Sequence, residues 1–408
     1  MTRPRRRAAL AGFASRFSLF GLLAIVAGCR SGGPLGPPDS FLVYAPQLDA
    51  AGAPVRTASG LPVLAAVPVD DPRAEPLYKQ FGVGFAAEVL RTDYLAKQLV
   101  RDADVGGHRF PDAARAAALE PTVLVLGGAP AEAGTPGAPG RGLGLKGLLG
   151  RTEEHRDVRW IAVDAYPDHD RALPQTLAGL LGRAAAWRVA GDDPAARTLV
   201  DGYGGALEVI AREWRSGEGP AGAIPGDAGS AAQRDLFAAV RENRYGLGAG
   251  GVPRSAQEIL GDPGVTATVL YRLAQSKTVG RKIAPAEVYA PFVTDRIPPG
   301  VSPAAVLGPF RNFQAKLLSA WGRAVLEGRP PHDIADLIDA YGRALPAERS
   351  EVTRVFVITT FGATVKPGGV RPPERDPGTA LPELTALAAE VAAGRRSFRA
   401  ALAEDPPR

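Results

Sequence analysis

The spacing of apolar positions divides the chain into a first stretch that mixes strand and helix periods and a second that is almost wholly helical. In the first, Leu61 to Val69 sets Val63, Ala65, Val67 and Val69 two apart, a strand period. Residues 81–97 carry Val83, Ala86, Leu90 and Tyr94 three and four apart, which predicts a helix; Leu99-Val100 is a short strand candidate. Asp112 to Leu119 reads as an alanine-rich helix, with Asp112 near its start to satisfy free amides. Val123-Leu124-Val125-Leu126 has no alternation, as a strand covered on both faces should. Val158 to Ala165 alternates again, and Leu199, Tyr203, Leu207, Ile210 and Trp214 form a helical stripe behind the start signal Asp192-Asp193-Pro194. Strand, helix, strand, helix, strand predicts an α/β domain over 41–215.

The second stretch, 231–370, predicts a mainly α-helical domain. Its stripes are Val265, Val269 and Leu273; then Phe310, Phe313, Leu317, Trp321 and Val325; then Ile334, Leu337, Ile338, Tyr341 and Leu345. Asp333 reads as the N-cap of the last, with Asp336 three residues on. Residues 352–361 are rich in β-branched side chains, which favours a strand. The unbroken run from Ala347 to Val365 favours a helix, and a helix is the reading taken because no strand partner is evident nearby. Glycine and proline mark the joints. Residues 216–230 read as a linker between two bodies, 129–150 as an exposed insertion, and 371–408 as a linker and tail helix.

The order Val67-Pro68-Val69-Asp70, a helix carrying Gly84 and Glu88, a strand at Leu99-Val100, a short helix, and Val123 to Gly128 resembles a known group. It is similar to the α/β domain of envelope lipoproteins related to the TolB amino-terminal domain, the curli-secretion lipoprotein and the LpoB activator. Val69-Asp70 stands where that group has a phenylalanine. The resemblance covers residues 61–166 and implies a non-catalytic assembly or accessory role. It carries over no functional residue.

Composition changes this picture chiefly through Cys29, the only cysteine in 408 residues. It closes Val26-Ala27-Gly28-Cys29, behind a basic start (Arg3, Arg5, Arg6, Arg7, Arg16) and an apolar run from Phe17 to Ala27. That layout is a secretory signal, and its ending resembles a bacterial lipobox. The resemblance implies lipidation of Cys29 and loss of residues 1–28. The run is too short for a transmembrane helix, which needs about 20 apolar residues. Residues 29–40 then read as a tether. Arg30, where aspartate would stand for inner-membrane retention, favours the outer membrane by the same resemblance. The expected protein is a lipid-anchored, periplasm-facing envelope component with a protein partner.

Residues 1–28 hold five arginines and no acid, so the 48 basic and 43 acidic residues of the chain fall to 43 of each after processing. A near-zero net charge removes the composition argument for nucleic-acid binding. Once Cys29 is lipidated, no thiol remains for disulfides or cysteine metal sites.

Catalytic signatures are few. Gly142, Gly144 and Gly147 have G-x-G-x-x-G spacing, but they do not directly follow a predicted strand, so no nucleotide cofactor is implied. His332-Asp333 is explained by helix capping. The sharpest polar cluster is Asp164, Asp168, His169 and Asp170, after the strand at 158–165. It could hold a divalent metal in a hydrolase, although Pro167 beside it also makes it ordinary turn chemistry. The reading adopted has no metal and no cofactor, with a binding or assembly role and the metal-dependent hydrolase as the alternative.

Overall fold

The computed structural model describes residues 41–67, 85–120, 122–126, 140–146, 152–163, 173–191, 193–216, 231–246, 259–292 and 303–361, with Asp71, Pro72, Ala74 and Leu77. The signal, the tether, residues 217–230 and the tail after Phe361 lie outside them.

A mixed sheet occupies the amino-terminal part and helices follow, as the apolar spacing predicts. The strands are β1 (Phe41–Pro46), β2 (Val63–Ala66), β3 (Thr122–Leu126), β4 (Gly140–Lys146) and β5 (Thr152–Val163). Their order is β1-β2-β4-β5-β3, and β3 pairs back onto β1, so the sheet closes. β1 runs parallel to β3 and antiparallel to β2; β5 runs parallel to β3 and antiparallel to β4. Alternation then sorts the side chains. Leu42, Tyr44, Leu64, Val123, Val125 and Trp160 form one apolar cluster. Val43, Leu124, Leu126, Ile161 and Val163 point the other way and join the helical core. All five residues of β3 are buried, which accounts for its unbroken apolar run.

Two elements depart from the sequence reading. Leu99-Val100 is not a strand but lies inside helix α1 (Phe85–Asp102). Leu99 and Val100 are both buried, and a helix covered on nearly all sides has no polar face to mark its period. The second is β4, which arises inside the glycine-rich stretch 129–150. Glycine disfavours strands, so composition points away from one. Here Gly144 is required by a close approach: a Cβ on it would sit 2.7 Å from Thr57 Cγ2 and 2.9 Å from Thr152 Cγ2.

The remaining helices are α2 (Asp112–Ala117), α3 (Leu173–Ala190), α4 (Arg197–Ser216), α5 (Ala231–Glu242), α6 (Pro263–Gln275), α7 (Lys277–Arg281), α8 (Ala286–Tyr289), α9 (Pro303–Leu326), α10 (Ile334–Ala344) and α11 (Arg349–Phe361). Residues 352–361 are thus helical. Asp333 caps α10 as expected, accepting from the Asp336 amide at 2.9 Å. Asp193 caps the turn before α4 through the Ala195 amide at 2.9 Å. Asp112 does not cap α2; its carboxylate meets Arg115 at 3.2 Å instead.

The reading of the sequence sets separate bodies on either side of 216–230. In the structure, helices from both sides share one core. Buried residues run as a single cluster from Val43 to Phe356, and α4 packs on α6 while α1 packs on α9. Tyr203 of α4 donates to Gln314 of α9. At the α4–α6 crossing, a Cβ on Gly202 would lie 2.4 Å from Thr266 Cβ and 2.8 Å from the Pro263 carbonyl oxygen. That contact gives a test. Gly202→Ala should lower stability by about 1–3 kcal/mol through overpacking. Urea unfolding followed by circular dichroism should keep one transition, since the crossing belongs to the common core. Two separated transitions would contradict a shared core.

Candidate functional site

Cys29, Asp164, Asp168, His169 and Asp170 all lie outside the described residues, so the structure does not bring the 164–170 cluster together or apart. Of the histidines, His108 and His332 are described with their side chains; both are exposed, and His332 Nε2 stands 3.2 Å from Asp193 Oδ2, while Asp333 caps α10. Among the described residues, no group of three or more histidine, cysteine, aspartate or glutamate side chains could hold a metal. No described helix is long and apolar enough to cross a membrane.

Two buried charge clusters that the sequence reading missed are the densest chemistry in the fold. The first joins α1, α3 and β3. Asp93 of α1 accepts from Arg188 Nε of α3 at 2.9 Å and from the Thr122 hydroxyl at 2.6 Å. Lys97 lies one turn on, 3.8 Å from Asp93 Oδ2, and donates to the Glu120 carbonyl at 2.9 Å. Asp93, Lys97 and Arg188 are all buried. Burial alone would raise the Asp93 carboxyl, but Arg188, Lys97 and its hydrogen bonds hold it below its ordinary value. Two cations face one carboxylate, and the imbalance falls on Lys97. Burial, with Arg188 adding to it and Asp93 opposing, brings its ammonium down to about 7.

The second cluster ties α9 to the segments packed on it. Lys316 is fully buried and donates to both Glu348 oxygens, at 2.8 and 2.9 Å. It also reaches the Val279 carbonyl at 2.5 Å and the Lys282 carbonyl at 2.9 Å. Tyr341 donates to Glu348 Oε2 at 2.8 Å, and burial followed by the Glu348 charge pushes its phenol well above the ordinary range. Beside them Tyr289 donates to Asn312 Oδ1 at 2.6 Å, and Asn312 Nδ2 takes the Gly280 carbonyl at 2.9 Å. Here one cation meets one anion, so the charges balance.

A lysine among apolar neighbours is the sequence signal for both clusters: Ala96 and Leu99 around Lys97, Ala315 and Leu317 around Lys316. The helix stripes absorbed these positions without asking where the charge goes. A small cleft between α3, α4 and α5 is lined by Gln175, Glu208, Val209, Arg212, Leu236 and Phe237. Arg212 stacks over the Phe237 ring at 4.2 Å. Burial raises the Glu208 carboxyl, opposed by Arg183.

Comparison with protein-family models, curated proteins and solved structures gave no match for this chain. The class of protein therefore rests on its own residues.

The clusters predict opposite responses. Because the folded Lys97 ammonium titrates near 7 and an unfolded one near 10.4, the unfolded chain binds more protons between those values. Stability should therefore rise with pH across that window, by at most about 5 kcal/mol. Lys97→Met should flatten the rise and stabilise the protein at pH 6; an unchanged slope in thermal unfolding would refute the assignment. Lys316→Met should instead cost about 3–5 kcal/mol by stranding the Glu348 carboxylate, and adding Glu348→Leu should restore much of it. Chemical denaturation of the single and double variants reads both effects.

Proposed function

We propose that this chain is a lipid-anchored cell-envelope protein that binds or assembles a protein partner and does no chemistry of its own in the folded core. The carrying observation is Cys29, the one thiol, placed after Val26-Ala27-Gly28 and an apolar run with arginines before it. One acyl chain holds a protein only marginally, so a stable anchor at this thiol needs two or more. Between Cys29 and the first strand at Phe41 lie 11 residues, which reach at most about 40 Å from the bilayer. The folded body thus works close to the membrane, facing the periplasm, with Arg30 favouring the outer membrane.

Support for a binding role comes from the use of the buried charges. Asp93, Arg188 and Thr122 hold one another, as do Lys316, Glu348 and Tyr341, so these side chains serve the fold.

Metabolic labelling with a fatty-acid probe should mark the wild type and leave Cys29→Ala unmarked, with the variant released from the membrane fraction. Equal labelling of the two would remove the anchor. Crosslinking in the native envelope should then capture a discrete protein partner.

A further inference from the structure

We propose that the surface made by α7 and the turn after it, carrying Lys277, Arg281, Lys282 and Ile283, docks on the anionic phospholipid surface of the membrane. The proposal deepens the anchored reading, since the anchor would bring this face within reach, but it stands on different residues. Lys277 and Arg281 are four apart on a short helix and both are exposed, so they project from one side. Neither has a carboxylate within salt-bridge distance among the described residues. The Lys282 ammonium is held on the Ala347 carbonyl at 2.5 Å, which keeps a third charge at the same edge. Glu351, beside Ser276, accepts from Ser276 at 3.1 Å and from Arg354 at 2.9 Å, and exposed Glu287 lies four residues past Ile283.

Ile283 is 60 % exposed, one of three large apolar side chains that the described residues leave in water. An aliphatic side chain beside unpaired cations matches a bilayer interface, where basic groups meet anionic headgroups and the apolar group enters the acyl boundary. An acidic protein surface would match the cations but not the isoleucine that follows them. The platform is also rigid. The carbonyls of Val279, Gly280 and Lys282 are taken by Lys316 and Asn312 from the buried cluster below, and Val279 and Gly280 are buried. The exposed side chains therefore present a fixed face and do not have to be ordered on contact, which lowers the entropy lost on docking. A tether of 11 residues limits the distance to the membrane without choosing the face that meets it. The cationic platform supplies that choice.

The test uses residues 29–408 with Cys29→Ser, without the basic and apolar segment 1–28 that would itself bind anionic vesicles, so that one introduced cysteine can carry an environment-sensitive fluorophore. The label is placed by Ile283→Cys, and in companion proteins by Leu119→Cys or Leu48→Cys, the two other exposed apolar positions. Each is mixed with phosphatidylcholine vesicles and with equimolar phosphatidylcholine–phosphatidylglycerol vesicles. Emission should shift to the blue at position 283 alone, on the anionic vesicles alone. The shift should weaken with salt and disappear when Lys277→Glu and Arg281→Glu are added. These two side chains are exposed, and an unchanged thermal transition checks that the reversed protein is folded. Three outcomes would overturn the proposal: equal shifts at all three positions, a shift that survives charge reversal, or none on anionic vesicles. Every protein in the set lacks the thiol at position 29, so the result is independent of whether Cys29 carries lipid.

Discussion

The bond between Asp93 and Arg188 is the constraint on which the arrangement of sheet and helices depends. Helix α1 is covered around most of its circumference, by α3 and α9 among others. A charged side chain on such a helix has no route to water. It must find its partners within the core, at the distance and direction that those partners allow. Asp93 finds one on α3 and one at the first residue of β3. Three elements distant in sequence are thereby fixed against one another at a single carboxylate. Apolar contacts alone would tolerate sliding of α1 along α3, because small alanine side chains offer many similar seats. The ion pair accepts one position.

The Lys316 cluster performs the same task at the other end of the fold, with a different division of labour. Its lysine takes backbone carbonyls as well as a carboxylate, so it satisfies the end of α7, where helices leave acceptors unpaired. Between the two clusters the helices touch closely through glycine and alanine, as at Gly202 against Thr266. Close approach gains dispersion contacts but leaves no room for stray polar atoms. Buried charge and small residues are consequently two sides of one design: the first sets the register, the second lets the backbones come near enough for the register to matter. The close contact of Gly202 with Thr266 and the bond from Tyr203 to Gln314 span the break at 217–230, which is why the core does not divide there, while each charge cluster lies on one side of it.

Elements with a polar face were legible in the sequence. The stripe from Ile334 to Leu345, its cap at Asp333, and the stripe from Leu199 to Ile210 all follow from a period of 3.6 and a capping side chain. The run Val123 to Leu126 was legible for the opposite reason, being apolar throughout and too short for a helix. What the period could not give was the far end of α1, where apolar and buried polar residues surround the axis. Nor could it give β4, whose strand rests on pairing with β2 and β5 and on space at Gly144 rather than on propensity. Long-range pairing leaves no local trace. Of the candidate sites, Cys29 was legible as a motif, whereas the lysines at 97 and 316 show only as charges out of place in apolar surroundings. Their partners, more than thirty residues away for Glu348 and more than ninety for Arg188 from Asp93, are beyond any window.

The difference between the two clusters bears on where function can reside. The second balances its charges and fixes the platform under Lys277 and Arg281, so rigidity inside becomes a defined surface outside. The first holds a surplus cation and pays for it in the protonation of Lys97, which makes the joint between sheet and helices the electrostatically strained part of the core. A joint with an ammonium titrating near neutrality tightens as the medium becomes alkaline and loosens as it becomes acid. Burial also lowers the Lys316 ammonium under the platform, but its hydrogen bonds to Glu348 and the Glu348 charge oppose that fall. The two ends of the fold therefore hold their buried lysines differently: one facing a carboxylate shared with a second cation, the other on a carboxylate of its own and two backbone carbonyls.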